Sequence, residues 1–124
     1  MSEQNEINIK HLHTLVLRES ETDLIQEMDS NLYNSVSELI KNLKSDESDG
    51  IKAKINQVMI NMVTDTTSAL LKLRLEKAAF KNSSQSVLLN EEKYILNSRK
   101  EMAERKETIL SGILNGKPHS LDNQ

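Results

Sequence analysis

Residues 51–80 read IKAKINQVMINMVTDTTSALLKLRLEKAAF. Ile51, Ile55, Val58, Met59, Met62, Thr66, Ala69, Leu70 and Leu73 recur in it at three- and four-residue steps, the period that lays side chains along one side of an α-helix. At 1.5 Å per residue such a helix is roughly 45 Å long, more than a compact domain of this size needs. It therefore spans a whole bundle or projects into a partner. Its apolar positions fall on two neighbouring faces. Ile51, Ile55, Val58, Met62, Ala69 and Leu73 make one; Met59, Val63 and Leu70, continued by Lys77, make the other. One face can pack inside the chain's own bundle, and the other then needs a second surface to cover it. The expected association residues are Met59, Met62, Leu70, Leu73, Arg74, Lys77 and Tyr94, with Arg74 at the edge, where its planar guanidinium can bond a partner's carboxylate.

Outward from this stretch the same period continues. Upstream, Ser45-Asp46-Glu47-Ser48-Asp49-Gly50 is a run of turn formers. Before it, Leu32, Tyr33, Val36, Leu39, Ile40 and Leu43 predict a helix that starts near Asp29-Ser30, either of which can accept a bond from a free first-turn amide. Ile7, Ile9, Leu12, Leu15 and Val16 predict another over residues 6–18, and Leu24, Ile25 and Met28 lie between the two without a clear form. Downstream, Asn82-Ser83-Ser84-Gln85-Ser86 is a polar loop. Asn90 is the predicted N-cap of a last helix, with Glu91 and Glu92 in its first turn as partners for the helix dipole. That helix carries Tyr94, Ile95, Met102, Ile109, Leu110, Ile113 and Leu114 and ends at Asn115-Gly116-Lys117-Pro118, a strong stop signal. The expected fold is all-α: a bundle of about four to five helices, one of them long, with no sheet. Residues 1–116 form its helical domain, and 117–124 read as a tail or the start of a linker.

Composition agrees. The chain has 124 residues, 36% hydrophobic and only 2% aromatic, so its core is aliphatic. Three glycines and one proline are too few for the turns of a many-stranded sheet. The formal net charge of −3 gives no overall attraction to a phosphate backbone or an anionic membrane. There is no cysteine, which removes disulfides, thiolate chemistry and cysteine metal sites together. No apolar run reaches the length of a membrane span or a signal peptide, and the chain reads as soluble and intracellular.

Catalytic constellations are hard to find. His11 and His13 are two apart, which points them to opposite sides of a helix and away from a shared metal. His119 follows the proline. No Glu-x-x-His is present for a carboxylate-bridged metal pair, and the glycines, at 50, 112 and 116, form no phosphate loop. A phosphotransfer bundle needs a mid-helix histidine, for which only His11 and His13 are available. We expect no catalytic residue, no metal and no cofactor. One charge cluster remains: Lys72, Lys81, Arg99, Lys100, Arg105 and Lys106, interleaved with Glu76, Glu101, Glu104 and Glu107. Its plain reading is a solvated, salt-bridged face; its functional reading is a basic patch for DNA or an acidic partner.

The order of these features resembles the helical domain of the GINS proteins, most closely archaeal subunits in which that domain comes first. The residues that carry the resemblance are Leu17-Arg18-Glu19; Met28-Asp29-Ser30-Asn31-Leu32-Tyr33 followed by Glu38-Leu39-Ile40-Lys41-Asn42-Leu43; Ala69 to Ala78 with its embedded Arg74 and Lys77; and Leu88-Leu89-Asn90-Glu91-Glu92-Lys93-Tyr94. They cover residues 5–116. Relatives usually continue into a small β-rich domain, which these 124 residues do not include. The resemblance implies a non-catalytic DNA-replication scaffold. It implies sister or identical GINS subunits as partners, a tetramer in the full assembly, and a link between the MCM helicase and a RecJ-like protein, with DNA contacted only indirectly and no membrane. It implies a cytoplasmic, nucleoid-associated location in an archaeon and a nuclear one in a eukaryote. The competing reading is a helical nucleic-acid-binding module using the basic cluster at residues 72–106.

Overall fold

The computed structural model describes residues 7–80 and 85–116. Among the described residues there are four α-helices, α1 (Ile9–Ser20), α2 (Leu32–Ser45), α3 (Gly50–Phe80) and α4 (Asn90–Leu114), with one 3-10 turn at Gln85–Val87 before α4. No strand occurs among the described residues, so the expected all-α architecture with one long helix is what forms.

α3 is the spine. α1 and α2 pack most extensively on it, and α4 least. Between them lies an aliphatic core of Leu12, Leu32, Val36, Val63, Leu70 and Leu89. A smaller core of Ile25, Ala78 and Leu88 closes the end of α3 nearest the start of α4. Burying such side chains stabilises by about 1.5–3 kcal/mol each, and the two clusters together join all four helices and the segment between α1 and α2.

Local chemistry sets the helix ends, and it differs from the predicted caps at two of them. At α1, the Asn8 side chain accepts from the His11 amide at 2.8 Å. α2 begins at Leu32 and not at Asp29-Ser30, because Asp29 is used in a turn. Its side chain accepts from the Asn31 amide at 2.9 Å and its carbonyl from the Leu32 amide at 3.0 Å. Asn90, the predicted cap of α4, lies inside the helix, and Leu89 occupies the N-cap position. Leucine has no side-chain acceptor, so Glu92, three residues on, reaches back and accepts from the Leu89 amide at 2.9 Å, which is the acidic half of a capping box.

The α2–α3 turn is organised by Asp46. Its carboxylate accepts from the Ser48 hydroxyl at 2.6 Å, the Ser48 amide at 3.0 Å and the Asn56 side chain at 3.0 Å. The Ser48 hydroxyl, then Asn56, draws the carboxyl down to about 2. Gly50 opens α3 at a φ of +67°, a left-handed conformation that costs other L-residues about 1–2 kcal/mol. Gly116 takes a φ of +75° just past α4, as the predicted stop signal requires.

Candidate functional site

Arg74 lies where the four helices converge. It is fully buried, as are Glu19 from the end of α1 and Glu92 from the first turn of α4. The Arg74 Nε donates to Glu92 Oε2 at 2.7 Å. Its Nη1 donates to Glu19 Oε1 at 3.0 Å and to the Gln26 carbonyl at 2.7 Å, and its Nη2 reaches the Val87 carbonyl at 3.4 Å. One turn on, the Lys77 ammonium donates to Glu19 Oε2 at 2.7 Å and to the Leu24 carbonyl at 2.8 Å. The Tyr33 hydroxyl of α2 donates to Glu92 Oε2 at 2.5 Å.

Two buried anions thus face two cations, and all four carboxylate oxygens have donors. Full pairing is what makes the burial tolerable, since taking one ion out of water costs several kcal/mol if its partner is missing. Burial alone would lower the Arg74 pKa; the hydrogen bond and charge of Glu92, then those of Glu19, outweigh it and hold the guanidinium protonated. Burial, reinforced by the Glu92 carboxylate, pushes the Tyr33 hydroxyl above its ordinary value. The two cations also satisfy the carbonyls of Leu24, Gln26 and Val87. Leu24 and Gln26 lie in irregular chain and Val87 ends the short 3-10 turn, so none has a long ladder of its own to absorb it.

Chemically this cluster is a lock. Its carboxylates are sealed from solvent and already bonded, so none is placed to meet a substrate. Among the described residues no group of three or more His, Cys, Asp and Glu is placed to hold a metal. His13 meets Thr66 of α3, Nε2 to Oγ1 at 3.1 Å, at the rim of an open groove formed with Val16, Leu17 and Ala69. No helix among the described residues is long and apolar enough to cross a membrane.

The expected association residues separate into two groups. Arg74 and Leu70 are fully buried inside the fold, and Lys77 is turned onto Glu19. Neither Leu70 nor Arg74 reaches a surface, which corrects the expectation of an outward face built on them. The reason is the orientation of α3: the face carrying Val63, Leu70 and Arg74 points into the core. Met59 and Leu73 are half-buried, whereas Met62 and Tyr94 are exposed. The other face of α3 is the open one, and it leaves Ile51, Ile55 and Val58 more than half exposed. The second half of α4 is similar. From Arg99 onward nearly every side chain is exposed, including Met102, Ile113 and Leu114.

Of the basic residues, Lys72, Arg99, Lys100, Arg105 and Lys106 are exposed; Lys81 lies outside the described residues. Lys72 and Arg99 border one groove between α3 and α4, together with Glu76. Glu19, Tyr33 and Glu92 were not read from the sequence as site residues. The one signal that could have exposed them is that each lies in a segment quoted for the GINS resemblance. The chain matches no protein-family model, no curated protein and no solved structure.

Proposed function

We propose that this chain is a GINS-type scaffold subunit of the DNA-replication machinery, without a catalytic site, that associates through its helices with sister or identical subunits and links an MCM-type helicase to partner proteins. The observation that supports this reading is the Arg74 cluster. The segments that carry the resemblance lie far apart in sequence, and each taken singly is ordinary helix grammar. Yet Glu19, Tyr33, Arg74, Lys77 and Glu92, drawn from all of them, bond to one another at one buried point. Residues from separate segments that bond specifically at one buried point support the reading more than any segment does alone. The exposed aliphatic residues at the far ends of α3 and α4 suit a protein that works by binding others.

The test is reconstitution. The purified chain, a sister subunit and an MCM-type helicase from the same organism are mixed in pairs and run by size exclusion with light scattering. Co-elution of the chain with the sister subunit, and of that complex with the helicase, is expected. Tight, steeply salt-dependent binding of the isolated chain to DNA with no association with either protein would replace this reading with that of a nucleic-acid-binding module acting through Lys72 and Arg99.

A further inference from the structure

Asn115 is followed by Gly116, and both are exposed just past the last residue of α4. The pair ends the helix, but it also carries chemistry of its own. The amide nitrogen of the residue after an asparagine can attack the asparagine side-chain carbonyl carbon and close a five-membered ring. Three conditions govern that step. The following residue must not crowd the nitrogen, the asparagine ψ must be able to turn, and solvent must reach the site to take up the proton.

Asn115 meets all three. Gly116 has no Cβ, and nothing lies within 4 Å of where one would stand. Its φ of +75° is in a region where glycine moves freely. Asn115 sits at a ψ of 5° and has to rotate toward extended values before the nitrogen can face the side-chain carbonyl. Inside a helix that rotation breaks ladder bonds on both sides. Among the described residues it breaks one here, from the Gly116 amide to the Ile113 carbonyl at 3.1 Å, because α4 ends at Leu114. The other described asparagines each fail a condition. Asn34 and Asn97, which precede serines, lie inside α2 and α4, and the rest precede larger side chains.

We propose that Asn115-Gly116 is a self-modification site, at which the side-chain amide of Asn115 is lost without an enzyme. Hydroxide from solvent takes the Gly116 amide proton as the Gly116 nitrogen bonds to the Asn115 Cγ. The Cγ–Nδ2 bond breaks, and ammonia leaves with a proton from water. Water then opens the ring at either of its two carbonyls, giving aspartate or its isoaspartyl isomer at 115. Nothing is oxidised or reduced. Either product takes the formal net charge from −3 one unit further negative. The new carboxylate stands at the C-terminal end of α4, where the helix dipole disfavours an anion and the last turn has no basic residue. The isoaspartyl product also lengthens the main chain before Gly116, which takes its amide off the Ile113 carbonyl. The pair thus acts as a clock on the end of α4 that carries the exposed Ile113 and Leu114. It does not depend on the scaffold reading.

The test is incubation of the full chain in neutral buffer at body temperature for several weeks, followed by proteolysis and mass spectrometry with fragmentation. A gain of one mass unit at Asn115, with an isoaspartyl fraction and ahead of Asn34 and Asn97, is expected. Gly116→Ala should slow the gain about tenfold or more, a barrier higher by about 1.4 kcal/mol. A synthetic peptide of residues 111–117 in the same buffer gives the rate of the unrestrained pair. A parent chain that stays unchanged at Asn115 while the peptide converts overturns the proposal, because the fold then protects the site. Conversion in which Asn115 does not lead Asn34 and Asn97, or which Gly116→Ala leaves as fast, also overturns it. If neither chain nor peptide converts, the chemistry is absent and the proposal fails. Asn115→Asp carries the product's charge and should move the carbon chemical shifts of Ile113 and Leu114 toward coil values. Unchanged shifts would overturn the effect on α4.

Discussion

At the end of α3 that meets α4, charged groups are buried: Arg74, Glu19 and Glu92 have no solvent exposure. At the opposite end of the same helix, Ile51, Ile55 and Val58 lie more than half in water. The usual arrangement of charge outside and aliphatics inside is reversed at both ends, and the reasons differ. The charged end is closed, because each carboxylate oxygen there has its donor inside the chain. The aliphatic end is open on the face that carries Ile51, Ile55 and Val58. A buried ion pair adds little net stability over an apolar packing of the same shape. It does, however, tolerate very few arrangements, and here it fixes how α1, α2 and α4 meet α3. The open stripe of α3 specifies nothing within the chain.

The largest contrast should appear in amide hydrogen exchange at low protein concentration. Val63 to Leu75 should open only with global unfolding, about 5–15 kcal/mol for a domain. Amides beyond Arg99 in α4 should exchange at close to zero, because a helical end of that length is marginal without packing. Equal protection of both under these conditions would show that α4 is docked along its whole length and would break the comparison.

Arg74→Met tests the closed end directly. It leaves Glu19 and Glu92 buried and facing a neutral side chain, and should cost about 3–5 kcal/mol in urea unfolding. A loss below about 1 kcal/mol, the size of an exposed pair, would mean that water reaches the cluster.

Tyr33→Phe removes one donor to Glu92 and should cost about 1–2 kcal/mol. It also carries a pH signature. A hydroxyl whose pKa is raised on folding stabilises fully below its unfolded value of 10.0 and loses that contribution as the pH rises through it. The parent's melting temperature should therefore fall above pH 10 more steeply than that of the variant. Parallel alkaline limbs would place Tyr33 outside the cluster.

Asp46→Asn should have the smallest effect, and on the acid side. The carboxyl is lowered from 3.8 to about 2 on folding, so its contribution is present above pH 3.8 and is lost as the pH falls toward 2. The difference in melting temperature between parent and variant should be steady at neutral pH and shrink across that window. A difference unchanged down to pH 2 would show that Asp46 acts through shape alone.

By itself the sequence determined the helices. The three- and four-residue recurrence from Ile51 to Leu73, the scarcity of glycine and proline, and the stop at Asn115-Gly116 are local features, and local hydrogen bonding answers them directly. It also showed that α3 has apolar residues on two faces. Which face turns inward was decided only by tertiary packing. Periodicity marks the faces of a helix but not the direction of its neighbours, and Leu70 was therefore legible as apolar but not as core. The same holds for Glu92, which reads as an ordinary first-turn acid. It becomes the partner of Arg74, 18 residues away, and of Tyr33, 59 away, because the fold brings α2, α3 and α4 to one point. Burial in that spot makes an unpaired charge too costly to keep, and no pattern along the chain records where such a point will form.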